Sequence, residues 1–462
     1  MLKKFNSNKM TVGFDEKVPP IKMLFVALQH VLAVFGGIVA APLIIAMGMQ
    51  LSPEDTAYLV SASLVVSGLA TLLQIHRVGP VGSGLLSIQG TSFTFIGPLI
   101  FAYYSLVDGY SSAEALGLIL GTCGICALCM VVLLQFVEKL QRWVSANVSG
   151  ATVILIGLSL VWVTCSNLFN AFATAQRETT AFAPWSIFAV SAAVFAVTLA
   201  LAFSGNALLR IVSITGGLIL GLAVSWSLGM VDTTPLQNLD TFFFPSVNYF
   251  SLGFDLGAFF ILFPVFFISA SESLGDLSAT AKLSGFTIGD KPYWRRIRGG
   301  LSGDAINSFI AAILCSFPNT TFSQNNGVIR LTGVCNPKVG IFVALLLIVL
   351  GVFPIVGALF VILPVAVLSG ATLLMFMMVV VSGIDMVNSG SDASRSWPLV
   401  GLAIIVGILS SLAVKQIEFL PQWLTSFMQF PVSTGAFFAL LGEFIRSGFN
   451  KSHSKMLPNS NL

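Results

Sequence analysis

Glu272 and Asp276 stand four residues apart in the apolar run Leu256–Ala279, a spacing that stacks both carboxylates on one helix face. Ionisable groups inside such a run are costly to place in lipid, and they mark sites that bind a substrate or move protons. The pair can hold and release a proton, although Asp276 also suits a tie between helices. Asp304 follows Arg298, the end of a basic loop, by less than two helical turns. It reads as a third interior acid or as a helix-end partner of that loop. Gln324, Asn325 and Asn326 form an amide cluster. Primary amides offer donors and an acceptor side by side, which suits a planar ligand with alternating N–H and C=O edges. Glu272 would accept from ring N–H groups, and Phe93 could supply a flat face for stacking. With 39 phenylalanines in the chain, packing is the competing role for Phe93. His30, after Gln29, reads as an interior hydrogen-bonder between helices, and Arg330 as a cation snorkelling to the membrane interface.

These residues need a scaffold, and composition fixes its class. Only 9% of the 462 residues are charged and 56% are hydrophobic, where an ordinary soluble domain is about 25% charged. That excludes a soluble enzyme, a nucleic-acid binder and a disordered scaffold, and leaves an all-α polytopic protein of the lipid bilayer. A net charge of +3 implies no polyanionic partner. Cys123, Cys126 and Cys129 lie in an apolar stretch and read as small residues packing between helices, not as ligands of a metal cluster. The first 22 residues are basic and polar and offer no cleavable signal.

Twelve apolar stretches, from Met23–Met49 to Phe430–Phe444, are clear span candidates. Val339–Ala358 and Val148–Val163 are two of them. Two further stretches, Val78–Val107 and Pro318–Val334, are long enough to cross but are interrupted by small and polar residues. Counting both gives fourteen spans with both termini on one side. Nineteen of the 22 Lys and Arg residues then fall on that side, among them Lys3, Lys4, Lys9, Lys17, Lys139, Arg142 and Arg295. Arg177 and Lys415 stay opposite, beside acids such as Glu178, Asp240 and Glu418. The positive-inside rule makes the cation-rich side cytoplasmic. The interrupted spans are third and tenth, seven apart, so two seven-span halves lie inverted in the membrane. Their broken segments, Leu86–Phe95 and Phe317–Gly327, both begin extended and then run into helical patterns. Broken spans at matching positions of two halves point to the substrate site of a secondary transporter, with half-helix N–H groups facing the midplane. Re-entrant structural loops are the alternative.

The run Gln324-Asn325-Asn326-Gly327-Val328-Ile329-Arg330-Leu331-Thr332-Gly333 fits the ten-residue signature of the nucleobase–ascorbate transporters. With Gln29-His30, Ser271-Glu272-Ser273-Leu274-Gly275-Asp276 and Asp304 after Gly299-Gly300, the chain resembles that family over nearly its whole length. Gln324 at the first signature position is similar to bacterial xanthine and uric acid permeases, where uracil permeases carry Glu. The resemblance implies a core domain over 23–137 and 236–358 and a gate domain over 138–235 and 359–447. Cytoplasmic tails over 1–22 and 448–462 flank them. It further implies an elevator-type motion, a homodimer, no cofactor and proton-coupled uptake across the bacterial inner membrane. Glu272 and Gln324 match positions that grip the purine, and Phe93 matches the stacking aromatic. Asp304, Asp276, His30 and Asn325 match positions that shape the site or the coupling, and Gly327 and Thr332 complete the signature. Some xanthine permeases carry Asn where this chain has Ser92, a smaller side chain that keeps uric acid open as a substrate.

The expectation is therefore a proton symporter for purine nucleobases, xanthine first and uric acid beside it. A uracil or broader nucleobase permease is the alternative. An anion exchanger of related fold is a further rival, but Glu272 would repel an anion. No nucleophile–base pair, metal-ligand spacing or phosphate-cradling loop suggests an enzyme.

Overall fold

Prolines and short polar side chains open the long helices of this chain, and apolar runs extend them. The computed structural model describes residues 12–16, 19–135, 146–177, 182–206, 209–210, 212–236, 242–388, 393–414, 425 and 428–456. Helix α1 (Pro20–Gly48) starts on a proline whose missing N–H costs nothing at the first turn. Ser52 caps α2 (Pro53–His76) by accepting from the Asp55 N–H at 3.0 Å, with Glu54 and Asp55 favouring the positive end of the helix. Strand β1 (Gln89–Thr91) and a 3-10 turn (Phe93–Phe95) lead into α3 (Ile96–Leu106). Ser111 and Glu114 form a capping box at α4 (Ser112–Leu134). The chain continues through α5 (Ala146–Arg177), α6 (Ser186–Ala202), α7 (Ser213–Ser227), α8 (Leu256–Leu283) and α9 (Lys291–Ile313). Strand β2 (Asn319–Thr321) precedes α10 (Gln324–Thr332), followed by α11 (Val339–Val352), α12 (Pro354–Val361), α13 (Val365–Asn388), α14 (Ala393–Ala413) and α15 (Pro431–Met456).

The two interrupted stretches meet. β1 pairs antiparallel with β2 in the register Gln89 to Thr321, Gly90 to Thr320 and Thr91 to Asn319, and all six residues are buried. The ladder is extended at its ends, where the Ser92 N–H donates to the Pro318 carbonyl at 2.9 Å and the Phe322 N–H to that of Ile88 at 3.0 Å. Non-helical backbone in a membrane survives only when its polar groups are satisfied inside the protein. Here each broken stretch satisfies the other. Side chains complete the job: Thr71 Oγ1 accepts from the Gln89 N–H at 3.0 Å, and Ser308 Oγ from the Asn319 N–H at 3.1 Å. Gly90 matters to this junction. A Cβ there would stand 2.7 Å from Phe322 Cζ and 2.8 Å from Ile38 Cγ1. Gly90→Ala is therefore expected to destabilise the protein by about 1–3 kcal/mol through overpacking. Intrinsic-fluorescence melting of purified protein checks this, and an unchanged midpoint would mean that the ring does not sit against the strand.

Seven of the described helices are long and apolar enough to span a bilayer. Helices α11 and α12 add an eighth if taken together, but they meet at 74°. The sequence had offered Val339–Ala358 as one uninterrupted span. Pro354 explains the difference: it cannot donate to the preceding turn, and it holds Phe353 extended at φ −93°, ψ 106°. A second difference is α5, which outruns the expected Val148–Val163 and stays helical to Arg177, because nothing in Cys165–Arg177 is a glycine or proline. Several residues used to orient the chain, including Lys3, Lys4, Lys9, Lys17, Lys139, Arg142, Glu178, Asp240, Lys415 and Glu418, lie outside the described residues.

The chain divides into two compact units. The first comprises the described residues of Met1–Gln135 and Val161–Met375, and it holds every candidate site residue. Its core runs through Val34, Ile38, Leu64, Leu86, Ile88, Ile329, Val343 and Leu347, which pack the ladder between helices. The second comprises those of Phe136–Leu160 and Phe376–Leu462. Its core is Val148, Ala151, Ile154, Val387, Val400, Ala403 and Ala439. There, small residues let helix backbones approach, as where a Cβ on Gly383 would lie 2.7 Å from Ile154. Asn147 Nδ2 donates to Glu443 at 3.2 Å within the same unit.

Candidate substrate site

Helix α8 carries the two neighbouring carboxylates, and the segment after β1 reaches one of them. Thr94 Oγ1 donates to Glu272 Oε2 at 2.8 Å. Two residues earlier, Ser92 is fully buried, with its Oγ 3.5 Å from that of Ser269. Phe93, between them, stacks on Phe322 with ring centroids 5.8 Å apart and planes within 23°. One aromatic thus comes from each interrupted stretch, and the pair forms a flat apolar wall beside α1, where a Cβ on Gly37 would meet Phe322 at 3.0 Å.

The amide cluster is split by geometry. Asn325 points inward, its Nδ2 donating to the Leu86 carbonyl at 2.6 Å. Asn326 ties α10 to α8: its Nδ2 donates to the Asp276 carbonyl at 3.2 Å, and its Oδ1 accepts from Thr280 Oγ1 at 2.7 Å. The half-buried side chain of Gln324, at the start of α10, makes no hydrogen bond to any described residue. His30 is fully buried beside Asn325. Neither of its ring nitrogens, nor Asn325 Oδ1, reaches a hydrogen bond of good geometry among the described residues.

Asp304 lies behind the strand ladder, 7% exposed. It accepts from Gln74 Nε2 at 3.2 Å and from Thr321 Oγ1 at 3.3 Å, and Gln89 Nε2 donates on to Thr321 Oγ1 at 3.0 Å. These partners are neutral, so the helix-end pairing with the basic loop is not its role. The structure makes the expected basic loop up to Arg298 the first two turns of α9, and its Arg296 donates instead to the Ser83 and Gly84 carbonyls at 3.0 and 3.1 Å. For Asp276 the tie between helices exists, but it runs through the backbone carbonyl and leaves the carboxylate aside.

The signature's remaining members sit elsewhere. A Cβ on Gly327 would meet nothing within 4 Å. Thr332 lies eight residues beyond Gln324, about 12 Å along the helix, and bonds the Val328 carbonyl of its own turn at 2.9 Å. Gly333 then ends α10 at φ +67°. Arg330 is exposed. Thr94, Phe322, Gln74, Gln89 and Thr321 join the site without having been singled out from the sequence. An amide such as Gln74 deep in the apolar α2 was the available signal.

A carboxylate held by one hydroxyl, an uncommitted amide and an aromatic wall can bind a flat heterocycle through both its edge and its face. Known proteins agree with this chemistry. Residues 21–415 match the model of the Permease family. The chain is 33% identical over 437 residues to the xanthine permease XanP of Escherichia coli strain K12, covering 94% of each protein. It is 34% identical over 435 residues to XanQ of the same strain, also a xanthine permease, covering 94% of this chain and 93% of XanQ. Among solved structures, the transmembrane domain of the cyanobacterial bicarbonate transporter BicA is similar in fold, with a TM-score of 0.55 at 13% identity, covering 84% of this chain and 96% of that one. The family match over most of the chain, together with these full-length relatives, makes the protein a membrane transporter and not an enzyme, a member of the nucleobase–ascorbate transporter family.

Proposed function

We propose that this protein imports xanthine, with uric acid as a second substrate, in symport with protons. The observation that carries the reading is the Thr94–Glu272 hydrogen bond, which fixes a carboxylate from α8 on the segment that also carries Phe93. Glu272 accepts from a ring N–H, Gln324 reads the neighbouring edge, and the ring lies along Phe93. Asp276 and Asp304 complete the group through which the proton moves, with His30 and Asn325 shaping its surroundings. The full-length similarity to two xanthine permeases supports the substrate class.

In this reading the core spans slide past the gate spans as an elevator, the protein is a homodimer in the bacterial inner membrane, and both termini face the cytoplasm. The fourteen crossings rest on the charge pattern, which dropping both interrupted stretches would degrade. Uptake of labelled xanthine, uric acid, guanine and uracil in permease-deficient cells tests the proposal. Xanthine should accumulate saturably, and a protonophore should abolish accumulation. Saturable uracil uptake without purine uptake would overturn the substrate, and accumulation indifferent to the protonophore would overturn the coupling.

A further inference from the structure

In the first unit, where the end of α2 and the start of α11 meet residues 14 and 15, lies a cavity of about 420 Å³. Arg77, Arg296, Lys338 and His76 line it, with Asp15 as its one acid. We propose that this cavity binds a phosphate group of net negative charge, carried by a soluble metabolite or by an anionic lipid headgroup.

The cations are arranged for an external partner. Arg296 is spent on structure: it donates to the Ser83 and Gly84 carbonyls, and its guanidinium lies 4.6 Å from the centroid of Phe14 and 4.3 Å from that of Phe286. Gly84, at φ +66°, leaves the room, since a Cβ there would stand 2.9 Å from Arg296 Nη1. Burial and then the neighbouring Arg77 lower the pKa of Arg296, which lies in the first two turns of α9 ahead of the apolar stretch Gly300–Phe317, while Asp15 opposes them. The two arginines are also close in space, since both lie against Gly84, where a Cβ would stand 2.9 Å from Arg296 Nη1 and 3.6 Å from Arg77 Cδ. The side chains of Arg77 and Lys338 form no ion pair with any described residue. Arg77 also adopts φ +53°, an uncommon conformation for a residue with a side chain, to end α2 at the cavity. Guanidinium and ammonium groups converging in this way match a phosphate's acceptor oxygens, and the volume admits more than the phosphate alone.

The wall opposite is a strap, residues 12–16. The Val12 N–H donates to the Gly333 carbonyl at 3.1 Å, the Cys335 N–H returns to Val12 at 3.4 Å, and Asn336 Nδ2 donates to the Glu16 carbonyl at 2.6 Å. Phe14 and Asp15 of the strap face the cavity, so a ligand there bridges the strap to the end of α2 and the start of α11. This inference does not depend on the identity of the transported substrate.

Thermal melting of the full-length protein in neutral detergent, with inorganic phosphate against chloride at equal ionic strength, gives the first measurement. The second is melting in vesicles of phosphatidylcholine alone and of phosphatidylcholine with phosphatidylglycerol. A shift with inorganic phosphate assigns a soluble ligand, and a shift only with phosphatidylglycerol assigns a lipid. The double variant Arg77→Gln, Lys338→Gln should weaken either effect by about tenfold or more, and Asp15→Asn should strengthen it by removing the competing carboxylate. No shift in either series, or equal shifts in wild type and double variant, would refute the site.

Discussion

Glu272→Gln is expected to abolish concentrative xanthine uptake while leaving the protein folded. Gln has the shape of Glu, so the space beside Thr94 stays filled, and the remaining carbonyl oxygen can still accept from Thr94 Oγ1, now 2.8 Å from Glu272 Oε2. What disappears is the charge and one of two acceptor oxygens. A hydrogen bond to a charged group contributes about 1.5–3 kcal/mol, so affinity for a ring N–H donor should fall by roughly 10- to 150-fold. A neutral amide also cannot take up or release a proton, so the variant loses coupling besides affinity. The two losses separate experimentally. At high xanthine concentration, counterflow in vesicles should persist, whereas accumulation driven by a pH gradient should not. Glu272→Asp keeps the charge but withdraws it from Thr94 by one methylene, and should lose affinity while retaining gradient-driven uptake. Wild-type accumulation by Glu272→Gln would show that the carboxylate is not central.

Much of this site was legible in the sequence because it is local. Glu272 and Asp276 are one turn apart, and Gln324 to Thr332 is a contiguous run. The interruptions Leu86–Phe95 and Phe317–Gly327 stand out against apolar surroundings, and each contains a short strand. Their pairing and register did not stand out, since register depends on partners more than two hundred residues away. Asp304 has one donor 230 residues away in the chain and another only 17 away. Its neighbours Gln74 and Thr321 come from α2 and β2, and only the folded ladder brings them together. Sequence proximity suggested the basic loop instead, yet burial behind β2 selects neutral donors. Gln324 and Asn326 looked equivalent as amides, and folding made them different: one is consumed in tying α10 to α8, the other remains available. The similarity in fold to a bicarbonate transporter makes a related point. A shared scaffold does not set the cargo. Two acids on α8 disfavour an anion at the place where this chain carries Glu272.

Asp304→Leu is expected to cost both transport and stability, and Asp304→Asn transport alone. Leucine fills a similar volume but accepts nothing, so Thr321 Oγ1 and one N–H of Gln74 would lose their acceptor in a site that is 7% exposed at Asp304 and fully buried at Gln74. Leaving a buried donor unpaired costs about 1–3 kcal/mol. Gln74 keeps its second bond, to the Gly300 carbonyl at 3.2 Å, so the penalty falls mainly on Thr321, and through it on Gln89 and the β1–β2 ladder. Asparagine preserves an oxygen for both donors and should melt near the wild-type temperature. It cannot ionise, so any proton that passes through Asp304 has no carrier, and gradient-driven xanthine accumulation should fall at least as far as in Leu. Melting midpoints and uptake rates of the two variants, taken together, decide the role. Should Asn transport normally while Leu melts early, Asp304 is a structural acceptor for the ladder and the proton path lies along α8 alone. Should both melt like wild type and fail to transport, the carboxylate acts in coupling and the ladder does not need it.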